Sequence, residues 1–317
     1  MEFFDAFRAS KINLDFLNNS ASSGQYFAER RAVEIKEIAD DAADFVLKRI
    51  SEGLDLVSVL SLSFSGGDFD PREKNPDTIP ECEASVKSFS DMISIYDKST
   101  FIKLLLSALD ERGVKLREEL FLPSDDREER FAYVKNPYAD EAYDVFSTEF
   151  SDPRVSYAST LKDALAMVEG GEAGYCLVPL EERGARLSTV GELVFRGDFK
   201  INSVTPVFGF DGLADMKYAL VSKSFTVPSL SPDDDRYLEV RIPAKGDADI
   251  AELISVAKAY GVDLYRINSS LYDTEGNVEV YYSIVFRDDE CDFTRLLTYL
   301  TVFCGSYTPV GIYKNLE

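Results

Sequence analysis

There is no histidine in this sequence, so any chemistry falls to carboxylates, lysine, tyrosine, cysteine and hydroxyls. Glu181 follows an apolar, strand-like run at 173–178 and Pro179. A carboxyl there with a raised pKa could act as an acid or a base. Lys217 opens a second apolar run, 217–222, and its ammonium could pair with a ligand carboxylate. Ser159 and Thr160 precede an amphipathic stretch ending near Glu169. Backbone amides freed at a helix start hold small anions. Each group also has a plainer role. Glu181 can pair with Arg183 or Arg186, Lys217 can be a solvated strand-end lysine, and Ser159 or Thr160 can simply cap the helix. Arg154 reads as a surface residue by default. Cys176 lies inside the apolar run and reads as a buried, inert thiol.

The other side chains narrow the chemistry further. Cys82, Cys176, Cys291 and Cys304 are scattered, with no Cys-x-x-Cys pair. Neither a zinc site nor a disulfide framework is expected, and no metal or cofactor is implied. Asp and Glu number 57 against 34 Lys and Arg, a formal net charge of -23. Such a chain repels phosphate backbones and anionic membranes, so nucleic-acid and membrane partners are not expected. The acidic start, Met1-Glu-Phe-Phe-Asp5, lacks the basic region of a signal peptide. A cytoplasmic setting is the expectation.

The 317 residues allow two or three domains. Ile35, Ile38, Ala42, Phe45, Val46 and Arg49 recur at helical spacing, which predicts a helix from Gln25 to about Ile50, capped by Ser22 or Ser23 and stopped by Gly53. Residues 54–64 are an apolar, β-branched run that reads as a strand. Gly66 to Pro80 reads as a long loop. A helix over 100–112 is expected, capped by Ser99 and ended by Gly113. Short strands at 131–134 and 155–158 flank a helix over 138–150. The stretch Pro228-Ser-Leu-Ser-Pro-Asp-Asp-Asp235 has the composition of a linker. After it the order is strand 237–242, helix 249–260, strands 264–272 and 278–286 joined at Glu275-Gly-Asn277, helix 292–303, strand 307–313. That βαββαβ order is the ferredoxin-like split motif.

The tandem carries a family resemblance. Phe131-Ala-Tyr133, the run from Tyr157 to Glu181 and Lys217-Tyr-Ala-Leu-Val-Ser-Lys223 resemble part of a prephenate dehydratase domain. Ile250-Ala-Glu-Leu-Ile254 and Tyr260-Gly-Val-Asp-Leu-Tyr-Arg-Ile-Asn-Ser269 resemble an ACT domain, the amino-acid-sensing module that follows it. The resemblance implies an α/β chain with a partial periplasmic-binding-protein-like lobe, then a ferredoxin-like ACT domain, behind an N-terminal mostly helical region. The implied boundaries are 1–125, 130–228 and 236–317.

The departures fall on the residues that matter for catalysis. The family's Gly-rich loop is Val134-Lys-Asn-Pro137 here. Its Pro-x-Glu-Asn-Ser is Pro179-Leu-Glu-Glu-Arg183, keeping Glu181. Its catalytic Thr-Arg-Phe is Met216-Lys217-Tyr218, which keeps a cation and an aromatic ring but no hydroxyl. The family's inserted second lobe is reduced to Phe208–Asp215. In the ACT-like part Asp249 would repel an amino acid's carboxylate, while Asn268 and Ser269 can still hydrogen-bond one.

Three functions follow as expectations. The first is a non-catalytic relative that binds or senses a small carboxylate or amino acid, with Ser159, Thr160, Lys217, Asn268 and Ser269 as ligand-binding residues. The second is an active prephenate dehydratase forming phenylpyruvate, with Lys217, Thr205 and Glu181 meeting the substrate. The third is a scaffold that dimerises through its ACT-like domain.

Overall fold

The computed structural model describes residues 25–64, 95–125, 128–209, 213–226, 235–245, 249–274, 277–288 and 293–316. The expected caps Ser22 and Ser23, the Gly66–Pro80 loop, Cys82 and Cys291 lie outside them, as does the Pro228–Asp235 linker up to residue 234. The chain forms two compact units built from interleaved segments. One comprises Met1–Phe121, Asp247–Gly261 and Asp292–Tyr307; the other comprises Leu122–Gly246, Val262–Cys291 and Thr308–Glu317.

The first unit is helical among its described residues. Its elements are α1 (Gln25–Ser51), α2 (Leu56–Phe64), α3 (Ile95–Glu111), α4 (Glu118–Phe121), α8 (Ile250–Ala259) and α9 (Thr294–Phe303). Helix α1 buries Ile35, Ile38, Ala42 and Val46, and α3 buries Phe101, Ile102, Leu105 and Leu109. Both rows keep the i, i+3, i+4 spacing of one helix face. Gly53 and Gly113 end these helices with φ of 92° and 84°, a backbone region that suits glycine.

Residues 56–64 form a helix, not the strand their apolar, β-branched run suggests. The deciding signal is Asp55, whose side chain accepts a hydrogen bond from the Ser58 amide at 2.9 Å, as an N-cap does. Helix α3 also begins four residues before the expected cap, so Ser99 lies inside it. Asp249 is the N-cap of α8, accepting from the amides of Ala251 and Glu252.

The second unit is a ten-stranded mixed sheet with helices α5 (Pro137–Ser147), α6 (Leu161–Glu169) and α7 (Ser188–Arg196). Its strands are β1 (Arg130–Val134), β2 (Arg154–Ala158), β3 (Tyr175–Glu182), β4 (Ala185–Arg186), β5 (Lys200–Val207), β6 (Met216–Ser222), β7 (Arg236–Pro243), β8 (Asp263–Thr274), β9 (Asn277–Asp288) and β10 (Thr308–Lys314). The order is β2-β1-β3-β6-β5-β10-β7-β9-β8, with β4 added beside β3. The last four, β10-β7-β9-β8, have the strand order of the ferredoxin-like split motif. Strands β1, β2 and β3 run parallel, and α5 and α6 connect them as crossover helices.

The two halves of the sheet meet at one narrow seam. Strand β10 lies parallel to β5 with Gly311 opposite Ile201. A Cβ on Gly311 would lie 2.8 Å from the Ile201 Cβ, so only glycine allows this approach. Register shifts occur at Pro179/Glu181, Ile201/Ser203, Leu264/Arg266 and Pro309/Gly311. Bulges bend strands and increase twist.

The bending is large. Arg266 on β8 donates to Glu181 on β3 at 2.5 Å, although β6, β5, β10, β7 and β9 lie between these strands. A flat sheet would hold β3 and β8 about 29 Å apart at the usual strand spacing. The sheet therefore curls until its β8 edge returns to β3. One face of the lobe holds Ala132, Val178, Val204, Ala219, Tyr237, Val285 and Tyr313 in a common core. The other holds Phe131, Tyr133, Phe146, Val207 and Tyr218.

Candidate ligand site in the curled sheet

Strand β3 is longer than its apolar run suggests and continues through Glu182. Glu181 is thus a strand residue, not a loop residue. Arg183 and Gly184, with φ of 49° and 75°, then turn the chain directly into β4. Consecutive residues at positive φ make the tight hairpin turn that suits twisted strands. That turn sets Arg186 opposite Glu181, and the β3–β6 register sets Lys217 opposite it on the other side.

These three side chains line a small cavity with Val204, Tyr237, Tyr265, Arg266, Tyr313 and Asn315. Its volume is about 10 Å³, enough for roughly one water molecule. Glu181 accepts from Arg266. Arg186 donates to both oxygens of Glu239, at 2.9 and 3.2 Å. Ser283 and Tyr313 donate to the same carboxylate at 2.7 and 3.3 Å. Burial acts first on Glu239 and raises its pKa, but Arg186, Arg241 and Ser283 together hold it below the ordinary 4.5. Burial pushes the Tyr313 hydroxyl well above its ordinary 10.0, and Glu239 adds to that.

Lys217 differs from its neighbours. Among the described residues its ammonium makes no hydrogen bond and no close ion pair. Burial lowers its pKa from 10.5; Arg266 and Arg186 act in the same direction, and Glu181 opposes them. The cavity wall carries Arg186, Lys217 and Arg266 against the single carboxylate of Glu181. A second group is also left over: Asn315 Oδ1 is buried without a hydrogen-bond partner among the described residues, while Asn315 Nδ2 donates to Tyr237 at 3.5 Å. The wall offers an anion a cation and offers a donor an acceptor.

The other expected residues lie elsewhere in this unit. Thr205 is paired with Tyr218 and so faces away from Lys217, which is paired with Pro206. Its hydroxyl donates to the Pro206 carbonyl at 3.3 Å. Thr160 caps α6, accepting from the Asp163 amide, while Asp163 accepts from the Thr160 amide. This reciprocal box occupies the helix start. Ser159 is exposed beside it. Asn268 and Ser269 sit in the middle of β8 opposite Ser283 and Tyr282, not at a strand end. None of these five lines the cavity. Cys176 is fully buried and its thiol pKa is pushed up by that burial. Arg154 pairs with Asp152 at the surface.

At the carboxyl end of β1, Asn136 and Pro137 shape the entry to α5. Asn136 Oδ1 accepts from the Ala139 amide at 3.0 Å and caps α5, with Pro137 at its first position. Tyr218 also donates to Asn136 Oδ1, at 3.4 Å. Sequence reasoning missed Arg266, Tyr265 and Asn315 as wall residues. The one local signal was Arg266, a charge between Tyr265 and Ile267 in a strand-like run.

No family model matches the sequence. No curated protein matches it. Among solved structures the likeness is to prephenate dehydratases. That of Streptococcus mutans is 14% identical, covers 59% of this chain and 99% of its own, and has a TM-score of 0.45. The enzyme of Arthrobacter aurescens, solved in complex with L-Phe, is 15% identical over 58% of this chain and 89% of its own, with a TM-score of 0.42. GqqA, described as a novel type of quorum quenching acylase, is also similar: 16% identity, 59% and 95% coverage, TM-score 0.43. All three scores lie under 0.5, so none of them bears on the chemistry of this site. Among the described residues no group of His, Cys, Asp and Glu could hold a metal, and no helix is long and apolar enough to cross a membrane.

Proposed function

We propose that this chain is a non-catalytic, prephenate dehydratase-like protein that binds a small carboxylate or amino acid. One observation supports this most. Glu181 and Lys217, the acid and cation kept from the family's pattern, line a cavity of about 10 Å³ in which Glu181 is already paired with Arg266. Prephenate, a ring dicarboxylate, needs far more room than one water site, and more than the acetate-sized space that movement of the Glu181 carboxylate would add for a small carboxylate. Two further features support the same reading. Met216 stands where the family's hydroxyl would be, and Thr205 faces the other side of the sheet. The reading is tested by incubating purified protein with prephenate and following phenylpyruvate. The expected rate equals the uncatalysed rate; turnover that disappears in Lys217→Ala would defeat the proposal.

A second reading, the dimeric scaffold, has its own support. Strand β8 ends the sheet and exposes Leu264, Ile267 and Leu271. An apolar edge strand is a template for pairing with a second copy. Light scattering on the purified protein distinguishes a dimer from a monomer, and a monomer at high concentration removes this reading.

A further inference from the structure

The cavity's one carboxylate can be read as an occupant of the site rather than part of its wall. Glu181 is 6% exposed and reaches across the curl to Arg266 on the far edge strand. The Lys217 ammonium stands beside it, without a close partner of its own among the described residues. A cationic wall with one carboxylate held in it has the form of a filled carboxylate site. We propose that Glu181 is an internal occupant of a carboxylate site, and that a small hydroxy- or amino-carboxylate binds between Lys217 and Arg266 by displacing it. This rests on the carboxylate-binding reading above and names how that site is filled.

The exchange has what it requires. Glu181 has a second cation within reach, because Arg186 is its direct cross-strand neighbour. Arg186 spends only its Nη2 on Glu239, so its remaining N–H groups can receive the displaced carboxylate. The pairing at Arg266 is kept, since one carboxylate replaces another there, and the added negative charge is met by Lys217. The incoming anion also satisfies Lys217, which Glu181 does not reach closely. Asn315 Oδ1 supplies the acceptor for a hydroxyl or ammonium next to the ligand's carboxylate. Room comes from the departing side chain and from β8, which has a single strand partner, β9.

The test uses the full chain and compares Glu181→Ala with wild type. Truncation at Cβ leaves a gap the size of acetate. Acetate and glycolate are titrated at constant ionic strength with chloride as the balancing anion, and binding is read by NMR shifts and by thermal midpoint. Both anions should bind Glu181→Ala about tenfold more tightly than wild type, because the internal competitor is gone. Glycolate should bind more tightly than acetate. Glu181→Ala combined with Lys217→Met should lose the gain. If Glu181→Ala folds poorly, acetate should restore its folding where chloride does not. Equal affinity in wild type and Glu181→Ala overturns the exchange while leaving carboxylate binding in place. Binding by neither protein overturns both.

Discussion

Two polar clusters, one in each unit, use nearly the same residues and reach opposite outcomes. In the helical unit Lys98 donates to Glu252 at 2.6 Å, and Tyr299 donates to the same carboxylate oxygen at 2.6 Å. The acid, the cation and the phenol satisfy one another, and Phe303 stacks under the ammonium. Burial drives the Tyr299 hydroxyl far above its ordinary pKa and pushes the nearby Cys304 thiol up to about 12, which leaves both inert. In the sheet unit Glu181 spends itself on Arg266, Glu239 on Arg186, and Lys217 is left over. A closed cluster fixes packing. A cluster with an unmatched charge has something to offer a ligand.

The comparison can be broken by mutation, most severely where the sheet cluster is fully matched. Glu239→Ala leaves Arg186 buried without its partner and should cost about 3–5 kcal/mol in chemical denaturation. Glu252→Ala strips Lys98 and Tyr299 together, and about 2–4 kcal/mol is expected for a pair that is less deeply buried. A loss below 1 kcal/mol at either carboxylate would show that the pairing there is incidental.

Lys217→Met sharpens the contrast because its sign is reversed. Removing a half-buried ammonium that lacks a partner should stabilise the protein by about 1 kcal/mol at neutral pH. The pH dependence follows from the lowered pKa of Lys217. Between that value and 10.5 the unfolded chain holds the proton that the folded chain has released. Stability of the wild type therefore rises with pH through that window. The gain from Lys217→Met should shrink over the same window, read as the difference between the two denaturation midpoints. The smallest effect is expected at the other anion site considered, the start of α6. Thr160→Ala removes a helix cap, costs about 1 kcal/mol and leaves acetate binding unchanged.

The sequence exposed the parts with strong local signals and hid the curvature. The βαββαβ order and the β1–α5–β2–α6–β3 run were legible from periodicity and from the turn residues between elements. Residues 56–64 misled because a short apolar run suits a strand or a buried helix alike, and only Asp55 marked the helix. Glu181 and Lys217 were legible as chemistry, but their cross-strand pairing depends on β3 running on to Glu182. Arg266 stood out only as a lone charge in a strand-like run, with nothing to mark its partner. It is 85 residues from Glu181, and only bulges and the Gly311 seam bring the two together. Chemistry was readable from residue types; convergence required the bend.

The unmatched charge of Lys217 is the centre of this account, and lysine NMR measures it directly. In protein labelled at lysine Cε, with Lys217 assigned through Lys217→Met, the account predicts a Lys217 titration below 10.5 that moves upward when acetate is added. A Lys217 that titrates at its ordinary value and ignores acetate would contradict it.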